Sequence, residues 1–446
     1  MEHSEPFRTE KISKVLLHLA PPVMLAQLIQ ALYNIVDSFF VGRYSDAGLT
    51  ALSIIYPLQL LMIALAVGTG VGINTAIAHY LGFRDKPRAE EMAGTAAPLG
   101  LALWVLFAVV CFLILPGYAR MSTDSEEVIR EVIVYGRIVC VGSVGLFTES
   151  VWTEVLQAEG DMKTPMLAQI LGAVTNIVLD PILIFGLFGA PALGIAGAAI
   201  ATVAGQIAAA LIVLRRGFRP SPPLRRYPAL TARIYRLGIP NILMQSAYTF
   251  YILGLNLILA TFSDQAVTAL GLYYKWQTFF FIPLGALQTC MVPIVSYNYG
   301  AASLPRVKRT IKLTICTAMA IMAVGCLIFQ LFPQQLLMFF NASEEMLSIG
   351  SVALRIISVS FVLAGFDIIA GSVCQAIGNP LYSLITSVCR QLVVLLPVAW
   401  LLSHTGVLTL VWLAFPISEL VSLVLSAIFL RRTMRAVAER IGSRAA

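Results

Sequence analysis

Six carboxylates stand inside apolar runs of this chain: Asp37, Glu149, Glu154, Asp180, Asp367 and Glu419. An acid at the middle of a bilayer costs about 2.5–3.5 kcal/mol on the insertion scale, so one retained there marks a site or is neutralised by a base. Asn34 and Asp37 are three residues apart and Asn176 and Asp180 are four apart. On a helix each pair therefore shares one face. Pro181 lacks a backbone donor and frees the carbonyl of Ile177, one turn back, for another partner. Two carboxylates, two amides and that carbonyl would make an oxygen-rich pocket. It could ligate a hard cation such as Na⁺, or hold a proton between crowded carboxyls. The residue types do not choose between them.

The other acids divide. A shift of 218 positions, the distance from Pro22 to Pro240 (240 − 22), superposes Glu149 on Asp367 and Gln27 on Gln245. Glu149, Asp367, Gln27, Gln245 and Tyr33 are therefore taken as candidates for lining a substrate cavity. The competing reading pairs Glu149 or Asp367 with Arg390 or Lys275, which also fall in apolar runs. Asp37 and Asp180 have no base in their own runs. Glu154 and Glu419 are assigned to solvent or packing. Tyr33, Tyr56, Trp152, Tyr273, Tyr274 and Trp276 supply faces that could hold an organic cation. Gly68, Gly70 and Gly72 sit inside an apolar run and read as a close helix contact.

Positioning these groups requires membrane-spanning helices. The 446 residues are 59% hydrophobic and 12% charged, with a mean hydropathy of +0.85, against about 25% charged in a soluble domain. Twelve runs, each long enough to cross a hydrocarbon core, read as all-α spans: 15–41, 50–80, 96–118, 134–157, 164–187, 193–214, 238–261, 268–298, 311–334, 350–376, 382–402 and 406–430. The first is too long and too polar in its second half for a cleaved signal core and reads as a retained span. Every second connection is basic, through Arg84–Arg88, Arg215–Arg236, Arg306–Arg309 and Arg431–Arg435. Those connections face the cytoplasm, which places both termini there in a multi-pass membrane protein. The net charge of +7 follows from this arrangement, and no nucleic-acid partner is expected.

The long basic segment 215–237 divides the chain into lobes 1–214 and 238–446, six spans each. The 218-residue shift also superposes Thr50-Ala-Leu52 on Thr268-Ala-Leu270, Gly82 on Gly300 and Gly160 on Gly378. An even number of spans per half makes the halves parallel repeats, an architecture typical of transporters. Seven cysteines form no CxxC pair and four histidines show no ligand spacing, so no metal centre or cofactor is expected beyond a coupling ion. HExxH and GxSxG are absent, and the chain does not read as an enzyme.

The segment Ala31-Leu-Tyr-Asn-Ile-Val-Asp-Ser-Phe-Phe-Val-Gly42, then Leu49-Thr-Ala-Leu52 and Pro57, resembles the opening signature of the multidrug and toxic compound extrusion (MATE) family. The likeness extends over the whole chain, including the Ala158-Glu-Gly-Asp161 turn. It implies secondary active export of organic cations and amphipathic drugs against H⁺ or Na⁺, by alternating access between two lobes in a bacterial inner (plasma) membrane; the protein is expected to act as a monomer. It also implies cation coupling at positions matching Asp37, Asn176, Asp180 and Thr202. Span seven carries no carboxylate, unlike the NorM-like branch, so the chain is more similar to the DinF-like or MepA-like one. The alternative is a flippase for lipid-linked or other amphipathic molecules. Such a protein would favour a cavity rich in arginine, whereas the spans here offer more acids than bases.

Overall fold

The computed structural model describes residues 6–339 and 344–445, and these contain helices and no strand. The principal helices are α1 (Ile12–Tyr44), α2 (Asp46–Gly82), α3 (Ala96–Ser122), α4 (Glu126–Gly142), α5 (Val144–Ala158), α6 (Lys163–Phe185) and α7 (Ile195–Gly217). Then come α8 (Tyr227–Ala260), α9 (Asp264–Gly300), α10 (Leu304–Leu331), α11 (Glu344–Ser358), α12 (Phe361–Ala376), α13 (Pro380–Val388), α14 (Leu396–Ser403) and α15 (Ala414–Ala445). A π-helical stretch, Cys389–Leu395, joins α13 to α14. Among the described residues, ten helical segments are long and apolar enough to cross a bilayer. Two bent pairs, α4 with α5 at 41° and α11 with α12 at 48°, bring the number to twelve.

The repeat is written into the caps and turns. Helices α2 and α9 begin 218 residues apart (264 − 46) and end at Gly82 and Gly300. Their N-caps match: Ser45 Oγ accepts from the Gly48 amide at 3.2 Å, and Ser263 Oγ accepts from the Ala266 amide at 3.1 Å. Each cap satisfies an amide that has no partner within its helix. Past both C-termini the chain turns through left-handed backbone, at Arg84 (φ 60°) and Ala302 (φ 54°). Such a conformation costs a non-glycine residue about 1–2 kcal/mol. Its recurrence shows that helix packing, not residue preference, imposes the turn. The bends recur as well, with Ser143 Oγ donating to the Cys140 carbonyl and Ser360 Oγ to the Ile357 carbonyl, both at 2.6 Å.

The chain forms two compact units. Pro21–Ile242 belong to one, and Pro6–Ala20 together with the chain from Leu243 onward belong to the other. This differs from a division at 214 and 238 in two places, each for a physical reason. Residues 215–237 are not a free connection, because Arg219 makes a two-pronged ion pair to Glu159 at 3.0 Å, Arg226 pairs with Glu91, and Arg233 donates to Tyr80 Oη at 2.7 Å. Helix α8 already begins at Tyr227, inside that segment. At the other end, the buried Phe7 gives its carbonyl to Asn298 Nδ2 at 3.0 Å and Arg306 Nη2 at 2.7 Å, and its ring meets Tyr297 edge-on. Pro6–Ala20 are thereby tied into the second unit.

The core of the first unit gathers Ile55, Met62, Phe107, Leu115, Tyr135 and Phe147. That of the second is aromatic, with Tyr273, Phe329, Phe361, Trp412 and Phe415. The glycines of α2 permit close approach. A Cβ on Gly70 would lie 2.6 Å from Glu154 Cγ, and one on Gly72 would strike the Ile234 carbonyl oxygen.

Candidate functional site

Helices α6 and α7 cross with their backbones touching. A Cβ on Gly172 would lie 2.9 Å from the Gly205 carbonyl oxygen, and one on Gly205 would lie 2.6 Å from that of Gly172. Such small-residue crossings let helices approach closely inside a membrane. One turn beyond Gly172 stands Asn176, and three residues before Gly205 stands Thr202. The crossing therefore presses these two side chains together. With its amide nitrogen 3.3 Å from Asp180 Oδ2, Asn176 places its amide oxygen 3.2 Å from the Thr202 backbone amide, which satisfies both ends. Asn176 and Asp180 are fully buried, at 2% and 0% exposure, and Thr202 is nearly so.

Helix α1 supplies the second acid. The carboxyls of Asp37 and Asp180 are hydrogen-bonding neighbours, and Asp37 Oδ1 is buried with no donor. Two facing carboxylates repel, so the contact requires a proton between them or a cation in their place. Tyr33, one turn before Asp37, lies within the field of Asp37, Glu149 and Asp180. Tyr135 of α4 is buried within the field of Asp37 and beside Thr202, and its hydroxyl accepts from Gln59 Nε2 at 3.4 Å. The donor set of Asp37, Asp180, Asn176 and Thr202 is all oxygen apart from one amide nitrogen. It fits a hard cation or a shared proton and does not fit a soft metal.

The structure therefore brings together Tyr33, Asp37, Asn176, Asp180 and Thr202. The side chain of Asn34 lies outside the described residues. Glu149 is half-buried and accepts from Thr153 Oγ1 at 3.0 Å. Gln27 is half-buried, Gln245 is exposed, and Asp367 is buried in the second unit. Tyr135 and Gln59 are additions that sequence reasoning missed. Gln59 had a signal, as a lone amide in the apolar run 57–67, whereas Tyr135 had none.

Glu154 packs at the contact of α2 with α5, where Asn74 Nδ2 donates to its Oε2 at 2.8 Å. One assignment needs correction: Glu419 is not a solvated or packing residue. It is 8% exposed and forms an ion pair with Arg390 Nη1 at 2.9 Å. Arg390 thus takes as its close partner an acid that sequence reasoning had set aside, instead of Glu149 or Asp367. Spacing along the chain gave no hint, since the π-helical stretch turns Arg390 toward α15. Of the expected organic-cation faces, Trp152 is buried and packs against Phe218.

A helical bundle of up to twelve spans with internal repeats and acids within the spans defines a polytopic membrane protein of transporter architecture. The family model MatE matches residues 22–182 and 240–401, and the chain belongs to the MatE family. It is a transporter, not an enzyme. The "Probable multidrug resistance protein YoeA" of Bacillus subtilis is 29% identical over 94% of this chain and 95% of its own length. An "FAD transporter" of Shewanella oneidensis is 26% identical over 92% of each chain. The solved outward-facing conformation of a multidrug resistance MATE family transporter of the MOP superfamily superposes with a TM-score of 0.91 at 26% identity. It covers 98% of this chain and 99% of that one.

Proposed function

We propose that this protein exports amphipathic organic cations and drugs across a bacterial inner membrane, as a monomer with both termini cytoplasmic, in exchange for H⁺ or Na⁺ bound at Asp37 and Asp180. The observation that carries the reading is the meeting of those two carboxyls, from helices far apart in sequence. The kinship with proteins named for multidrug resistance supports the substrate class. From outside, a cation neutralises the pair and lets α1 shift, and the drug leaves. From inside, the cation leaves and the drug enters. One charge crossing 100 mV is worth about 2.3 kcal/mol, which would sustain a drug gradient of roughly fiftyfold under tight coupling.

A second reading is transport of an anionic dinucleotide, favoured by the relative named as an FAD transporter. Liposomes containing the protein, loaded with a fluorescent organic cation or with FAD and placed in an H⁺ or Na⁺ gradient, separate the readings. Organic-cation movement driven by one gradient and lost in Asp37→Asn is the expected result. Movement of FAD alone favours the second reading. If neither moves, the flippase alternative takes precedence.

A further inference from the structure

Two further acids of the first unit, Glu149 and Glu154, stand on α5 below the Asp37–Asp180 pair. Glu149 accepts from Thr153 Oγ1 at 3.0 Å and also bonds Ser150 of its own helix and Gln169 of α6. Glu154 accepts from Asn74 Nδ2 of α2 at 2.8 Å and lies within the field of Glu149. Both residues are half-buried. The remaining helices packed on α5 bring uncharged groups to it: Gly100 of α3 meets Phe147 and Val151, and Gln206 of α7 meets Gly145.

Position along the helices sets these acids in series. The Ala158–Asp161 turn joins α5 to α6, so the two run in opposite directions, and Asp180 stands 17 residues (180 − 163) into α6, about 25 Å along it. Glu154 stands four residues (158 − 154) before the end of α5, about 6 Å from the same turn. Glu149 is about 7.5 Å nearer the pair. Tyr33, one turn before Asp37, lies within the fields of Asp37, Asp180 and Glu149. The turn lies two spans on from the basic connection 84–88 and so on its side of the membrane.

Acceptors without donors follow the same line. Gln169 precedes Asn176 by seven residues and Asp180 by eleven, about two and three turns, which puts all three on one face of α6. Its Oε1, like Gln206 Oε1 and Asn74 Oδ1, is buried with no donor. Water satisfies buried acceptors of this kind, and through water a carboxyl exchanges its proton with one it does not touch. A hard metal cation instead gathers several oxygens at about 2.0–2.6 Å. Five residues apart, Glu149 and Glu154 point to different sides of α5 and cannot share one.

We propose that Glu149 and Glu154 are relay residues that carry a proton from the Asp37–Asp180 pair to the cytoplasmic side, with Glu154 the last acid on the route. The proton leaves the pair for an oxygen of Glu149, passes to an oxygen of Glu154 and is released to water. Each carboxyl ends the cycle as it began. The proposal rests on the exchange function stated above and narrows its coupling ion to H⁺.

The test uses the full-length protein in liposomes, with a pH gradient read by an entrapped dye and a fluorescent organic cation as the transported probe. Glu154→Gln is expected to lower the maximal exchange rate about tenfold or more while the half-saturating concentration of the probe stays near that of wild type. Azide, a small weak acid that ferries protons, should recover most of that rate at equal remaining gradient and leave wild type unchanged. Should Glu154→Gln fail to fold, Glu154→Asp, which withdraws the carboxyl by one methylene, should slow exchange with the same recovery in azide. An unslowed rate in the folded variant would overturn the proposal. So would a loss that azide leaves untouched, or exchange driven by Na⁺ and not by H⁺. Asp37→Asn reports separately on the exchange function: coupling retained there overturns that function, whereas coupling lost there with an unslowed Glu154→Gln overturns the relay alone.

Discussion

Asn74 of α2 donates to Glu154 of α5 across 2.8 Å, one turn beyond Gly70, where a Cβ would already lie 2.6 Å from the Glu154 side chain. The glycine and the hydrogen bond are one device: the missing side chain lets the helices approach until amide and carboxylate meet. Asn74→Leu should therefore lower stability by about 1.5–3 kcal/mol, as expected for losing a bond to a charged group. Gly70→Leu should cost about 1–3 kcal/mol through overpacking. Thermal unfolding of the purified protein reads both, and a Gly70→Leu midpoint equal to wild type would show that the helices are not in contact.

The matched caps predict matched penalties. Ser45→Ala and Ser263→Ala each remove a side chain that accepts from the amide three residues on, and each should cost about 1 kcal/mol. Their effects should add, because the sites share no partner. A large penalty at one serine and none at the other would mean that the repeat does not carry equal weight in both halves.

Arg219 grips Glu159 with two contacts of 3.0 Å, and the arginine is 22% exposed against 5% for the glutamate. Removing the guanidinium leaves a buried carboxylate short of partners, so Arg219→Ala should cost about 2 kcal/mol. Adding Glu159→Gln should restore part of that loss. A double-mutant cycle measures the coupling, and a coupling near zero would show the pair to be ornamental.

At the acid pair, the expected result separates activity from folding. Asp180→Asn keeps the shape and the contact with Asn176 but cannot exchange a cation. Coupled transport should fall at least tenfold while the unfolding midpoint stays near that of wild type. In Asp37→Asn, residual transport should no longer respond to the pH gradient, since a neutral amide replaces the titrating partner. A pH-dependent rate surviving in both variants would move coupling away from these residues.

The second unit was less legible in the sequence than the first. Asp37, Asn176 and Asp180 stood out because acids in apolar runs, spaced by one turn from an amide, leave few interpretations. The register of the repeat could be read from Pro22 and Pro240, and the caps and turns follow it, with the bends one residue off it at Ser143 and Ser360. Glu419 looked isolated because its partner, Arg390, reaches it from a stretch whose π-helical turn no local pattern announces.

The sequence by itself determined the all-helical, twelve-span architecture, its two-fold repetition and the identity of the first-unit acids. These depend on run length, periodicity and the cost of charge in lipid, all local properties of the chain. Only the tertiary structure decided that Asp37 meets Asp180, that Tyr135 comes near Asp37, that Glu154 answers Asn74, and that Arg390 pairs with Glu419. Those partnerships depend on how close two helices come and which way each is rotated. Glycine crossings such as Gly172 on Gly205 set both, through contacts between residues the chain keeps far apart.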